Sequence, residues 1–135
     1  MKHKGCKFEY GTERDKELLR AYREQIGKCS VIVPSEIFKA VVEMPAKRFW
    51  VSEERAAIVI ARMFKGDRLT DMRNNTREMY YEIFRRVKEL KKKRPAMTII
   101  GAVSYVVSRP APKFYLTPGS AGMILCRIKR SMLRK

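Results

Sequence analysis

A chain of 135 residues with 45% apolar composition fits one domain of ordinary size, or two very small units sharing a core. No apolar run of about 18 residues occurs, which argues against a membrane span, and the opening MKHKGCKFEYGTERDK lacks the apolar centre of a secretory signal, so a cytoplasmic location is expected. Thirty-one basic against fourteen acidic residues give a formal net charge of +17, which points to a polyanionic partner.

The first helix is expected where Thr12 precedes "ERDKELLRAYREQIG", because Leu18, Leu19, Tyr22 and Ile26 recur on one face and Gly27 stands near the end. Pro34 or Ser35 opens a shorter helix, "SEIFKAVVEM", which Pro45 forces to stop or turn. Phe49 and Val51 then alternate as a short extended piece would require, with Phe49 turned inward and Arg48 and Trp50 on the other side. Ser52 caps "EERAAIVIARMFK" and Gly66 ends it; the run "AAIVIA" is apolar almost all round and reads as a buried helix. The segment "GDRLTDMRN", residues 66 to 74, is the one evident linker, short enough that its flanks are expected to pack closely.

Asn75 or Thr76 starts "REMYYEIFRRVKELKKK", and Thr98 starts "IIGAVSYVVSR". Thr117 with Pro118 starts the last helix, since proline at a first helical position sacrifices no hydrogen bond. The second set of helices repeats the first at an offset of 65 residues. Glu17, Arg20 and Glu24 fall on Glu82, Arg85 and Glu89, and Val41, Pro45, Phe49 and Ala56 fall on Val106, Pro110, Phe114 and Ala121. The expected fold is therefore all-α: six helices in two tandem three-helix copies, about 12–65 and about 77–130, within one compact domain spanning 1–135. Phe49 and Phe114 are the expected core anchors of the two copies, with short extended turns at the Pro-Ala motifs.

Charge is distributed unevenly between the copies. Residues 1–65 carry a net +5 and residues 66–135 a net +12; after Glu89 there are eleven basic residues and no carboxylate. A surface needs charge for solubility but ordinarily mixes the signs, because a single-sign field repels itself. Three places are candidate phosphate contacts: Lys91, Lys92, Lys93 and Arg94 at the end of the fourth helix; Arg109 and Lys113 around the second proline turn; and Arg127, Lys129, Arg130 and Arg134 on the last helix. Trp50 and Tyr115 are expected first to cover the edges of the core anchors Phe49 and Phe114; flanked by Lys47, Arg48 and Lys113, they are also candidate stacking platforms for DNA or RNA. Base reading by a helix-turn-helix is disfavoured, because the third helices offer few polar side chains before Arg127 and the connection from Met44 to Ser52 is long.

Nothing in the sequence assembles a reaction centre. His3 is the single histidine, there is no phosphate-binding GxxxxGK loop and no GxGxxG, and Cys6, Cys29 and Cys126 are too widely spaced for a metal site or a disulfide framework. The paired carboxylates Glu17, Glu24, Glu82 and Glu89 sit at ion-pair spacing around arginines, which suits surface helices. Neither an enzyme, a cofactor nor a metal is expected. The expectation is a nucleic-acid-binding protein that grips backbone phosphate through its second copy; the alternative is a protein-interaction or scaffold module with an acidic protein partner.

At "PAKRFWVS" and "PAPKFYLT" the chain also resembles small basic proteins found on bacterial prophages and other mobile elements. That resemblance implies a bacterial cytoplasmic setting and carries over no activity and no functional residue.

Overall fold

The computed structural model describes residues 11–133, which form six α-helices and no strands. They are α1 (Gly11–Lys28), α2 (Pro34–Val42), α3 (Glu53–Phe64), α4 (Asn74–Lys93), α5 (Ile99–Val107) and α6 (Pro118–Leu133).

The helix starts follow from local chemistry. Ser52 accepts the Arg55 amide at 3.1 Å, Thr98 the Gly101 amide at 3.0 Å and Thr117 the Ser120 amide at 3.0 Å, each satisfying a donor that the helix itself leaves unpaired. Proline occupies the first position of α2 and α6. Helix α4 begins at Asn74, one residue before Asn75 and two before Thr76, and its N-cap, Arg73, makes no side-chain capping bond. Gly66, at φ 106°, ends α3 in a conformation that glycine adopts without a Cβ penalty.

One contiguous apolar cluster is built from all six helices, with Leu18, Val41, Phe49, Val59, Ile60, Ile83, Val87, Val103 and Leu125 fully enclosed. Helix α3 packs chiefly on α5, and α2 on α6; α1 lies against α2 and α6, and α4 against α5 and α3. The connection between α3 and α4 is sewn into the same cluster by Leu69, which is fully buried at φ 56° while its amide donates to Asp67 at 2.8 Å.

At the centre, Ala46 and Ala111 form an isolated antiparallel bridge, each amide donating to the other's carbonyl at 3.0 Å. Beside it the Phe49 amide donates to Val107 and the Phe114 amide to Val42, both at 3.1 Å. The expected extended pieces thus reduce to a single bridge. Beyond it Phe49 and Phe114 are buried as anchors, but Tyr115 stands at φ 60°, so the chain turns there rather than continuing extended.

Helix α3 is not enclosed on all sides. Ala56, Val59, Ile60 and Met63 are buried, whereas Glu53, Glu54, Arg55 and Ile58 are exposed. Two neighbours, α5 and α4, cover part of its circumference and leave the remainder to solvent. The apolar run "AAIVIA" exceeds what packing requires.

Candidate nucleic-acid interface

The cations of the acid-free stretch find their internal partners mostly among neutral groups. Lys91 Nζ donates to the Met97 carbonyl at 2.8 Å, and the Arg109 guanidinium lies 4.3 Å above the Tyr105 ring. Lys129 donates to the Tyr22 hydroxyl at 2.7 Å and sits 4.4 Å over that ring. Two reach back to carboxylates that precede the stretch: Lys113 meets Glu78 at 3.2 Å and Arg127 meets Asp15 at 3.1 Å. Lys92, Lys93, Arg94 and Arg130 are exposed, and among the described residues no carboxylate pairs with them. Arg134 lies outside the described residues.

The first half behaves differently. Arg20 is held between Glu17 at 3.0 Å and Glu24 at 3.3 Å, Lys28 meets Glu24 at 3.6 Å, and Arg62 meets Asp67 at 2.6 Å. On α4 the carboxylates are similarly committed: Arg85 meets Glu82 at 2.7 Å and Glu89 at 3.4 Å, while Arg86 adds a second contact to Glu82 at 2.7 Å. The Arg85 hydrogen bond, assisted by Arg86, holds the Glu82 carboxyl below its usual range.

The candidate cations are not all brought together. Lys91 to Arg94 close α4, whose principal neighbours are α3 and α5; Arg127, Lys129 and Arg130 ride on α6, which packs on α1 and α2. Arg109 and Lys113 bracket Pro110, whose carbonyl accepts from Arg86 at 2.9 Å.

Trp50 and Tyr115 are half-buried rather than open. Phe49 covers Tyr115 at 6.1 Å between ring centroids with 18° between planes, and Lys113 lies 5.5 Å from the Tyr115 ring. Burial, with the Glu82 charge nearby, pushes the Tyr115 hydroxyl up to about 12. The Trp50 indole packs against the core, and its buried Nε1 meets no hydrogen-bond partner among the described residues. The core claims both rings.

A different aromatic group lies open beside cations, and composition and charge alone do not single it out. Phe64 at the end of α3 and Phe84 on α4 meet edge to face at 4.8 Å, and Lys88 Nζ lies 5.2 Å from the Phe84 ring. Tyr81, one turn earlier, is exposed and donates its hydroxyl to the Arg68 carbonyl at 2.7 Å. Met63, Gly66, Asp67, Arg68, Tyr81 and Phe84 line a cleft of about 360 Å³. The signal was available in the helical spacing of Tyr81, Phe84, Lys88 and Lys92.

Among the described residues no group of three or more histidine, cysteine, aspartate or glutamate side chains could hold a metal, and no helix is long and apolar enough to cross a membrane. No family model, curated protein or solved structure matches the chain.

Proposed function

We propose that this chain is a duplicated helical module that binds nucleic acid through backbone phosphate, without catalysis. The observation that carries it is the set of exposed cations at Lys92, Lys93, Arg94 and Arg130, which meet no carboxylate among the described residues and lie in a stretch with no acidic side chain of its own. Clustered lysines at a helix C-terminus are favoured by the helix dipole, but that explains their position and not the lack of any acid through the final 46 residues. Phosphate would supply the missing charge and displace condensed counterions from the strand, which makes the affinity steeply salt-dependent.

The duplication is supported by the hydrogen bonds at the centre. A shift of 65 residues exchanges Ala46 with Ala111, and turns the bond from Phe49 to Val107 into the bond from Phe114 to Val42. The same shift turns the packing of α3 on α5 into the packing of α6 on α2. The two halves differ in charge, a net +5 against a net +12, and the second has no carboxylate after Glu89.

The test is anisotropy titration of duplex and single-stranded DNA and RNA across a salt series. Lys92→Gln, Lys93→Gln and Arg94→Gln together are compared with Lys16→Gln, Arg23→Gln and Lys39→Gln, which remove the same charge from the first copy. The expected result is a log–log salt slope shallower by roughly 0.9 for each phosphate no longer neutralised, in the second-copy variant alone. Equal binding by both variants overturns the assignment to this surface. No binding at low salt, with retention of an acidic peptide instead, would favour the scaffold role.

A further inference from the structure

The stripe along α4 that carries Lys88 and Lys92 also carries the exposed ring of Tyr81 and the half-buried ring of Phe84. With 3.6 residues per turn, Tyr81, Lys88 and Lys92 fall in one line with Phe84 and Lys91 along one edge of it, while Glu78, Glu82 and Glu89 border its other edge, each already paired with Lys113, Arg85 or Arg86. Aromatic rings and cations therefore follow one another along a strip whose bordering carboxylates are already committed, running to Lys92 in the last turn of α4. The cleft at the head of this face is about 360 Å³, with Tyr81 and Phe84 on one wall and the end of α3 on the other. Its rings are held in place: the Tyr81 hydroxyl is tied to the Arg68 carbonyl at 2.7 Å, and Phe64 props Phe84 edge-on at 4.8 Å. The one carboxylate in the lining, Asp67, is already neutralised, accepting Arg62 at 2.6 Å and the Leu69 amide at 2.8 Å.

We propose that this cleft stacks bases of single-stranded nucleic acid, whose phosphates run along Arg68, Lys88 and Lys92 toward the end of α4. Single-stranded sites combine a cationic track with aromatic faces, because every base has a π-surface while duplex bases are already stacked on one another. Charge complementarity selects the strand over a neutral ligand, and the exposed Tyr81 and Phe64 rings distinguish this face from the α6 cations, whose one neighbouring ring among the described contacts, Tyr22, is half-buried between Lys129 and Phe38. The site rests on the phosphate-binding function proposed above and adds to it a preference for unpaired bases.

The experiment compares a thymidine oligonucleotide with an abasic strand of equal length, by anisotropy, for the native chain and for Tyr81→Ala and Phe64→Ala. The native chain should bind the thymidine strand roughly ten-fold more tightly than the abasic one. Each variant should lose most of that margin while keeping its abasic affinity and its salt slope, with thermal melting by circular dichroism reporting on folding. Photo-crosslinking of a bromouracil strand to the native chain provides a readout that needs no variant, and adducts are expected at Tyr81, Phe84 or Phe64. Equal affinity of the native chain for both strands, or adducts confined to other segments, overturns the stacking site and leaves the phosphate function standing. Failure to bind either strand at low salt overturns both together.

Discussion

Tyr115 shows how a single side chain can be fixed by surroundings that its own sequence position does not reveal. Burial raises its hydroxyl to about 12, and burial also raises that of Tyr80. A phenol whose folded value lies above the unfolded one, near 10, favours folding while it stays protonated; the advantage is complete below the unfolded value and is lost as pH climbs from about 10 toward 12. Chemical denaturation across that window should show stability falling with pH, and Tyr115→Phe should flatten the fall. Ultraviolet titration of the native chain against Tyr80→Phe and Tyr115→Phe should show that the phenols removed are ones that ionise later than tyrosine free in water. Tyr115 also adopts a left-handed backbone, as does Leu69, and neither is a residue type that announces such a conformation. The aromatic pair at 49 and 50 was legible only in part: the spacing identified Phe49 as an anchor, but alternation alone put Trp50 on the opposite side, and the turn folds its indole back onto the core.

Most helices announced their own limits. Ser52, Thr98, Thr117, Pro34 and Pro118 act where their chemistry places them, since a hydroxyl can accept an orphan amide and a proline lacks one. Ser52 is buried as well as capping, so Ser52→Ala should cost about 1 kcal/mol, read as a lower urea midpoint at unchanged slope. Helix α4 departs from this pattern: its start has no side-chain cap, and position is set by Leu69 in the core and by Arg77 bonding Asn74. Helix α3 departs in the other direction, because hydrophobicity indicates what can be buried and not how many neighbours arrive to bury it. The aromatic stripe of α4 was missed for a related reason. Tyr81 and Phe84 share apolar character with the buried Tyr80 and Ile83; helical spacing separates the two pairs, and the placement of α3 then sets Phe64 against Phe84 beside Tyr81.

At the scale of the whole molecule the packing is crossed: α2 rests on α6 and α3 on α5, so each half supplies a surface that the other covers. Calorimetry should therefore record one unfolding transition with matching van't Hoff and calorimetric enthalpies, and not two steps for two lobes. Caps and apolar spacing made six helices legible but did not say how they meet. Sequence similarity between halves is compatible with two separate bundles, and the bridge between Ala46 and Ala111 excludes that arrangement by joining residues far apart in the chain. The charge asymmetry was visible in the sequence, whereas its division between the end of α4 and the side of α6 depends on that crossing.

Crossed packing has a topological corollary at the segment that joins α3 to α4. Two molecules trading their C-terminal halves would bury the same faces and remake the same central bonds, so the buried surfaces alone do not dictate a monomer. That decision falls to the connector, whose reach lets a chain close on itself and whose Leu69 is sunk among its own helices. A shorter connector would leave every buried face intact and hand the choice to concentration.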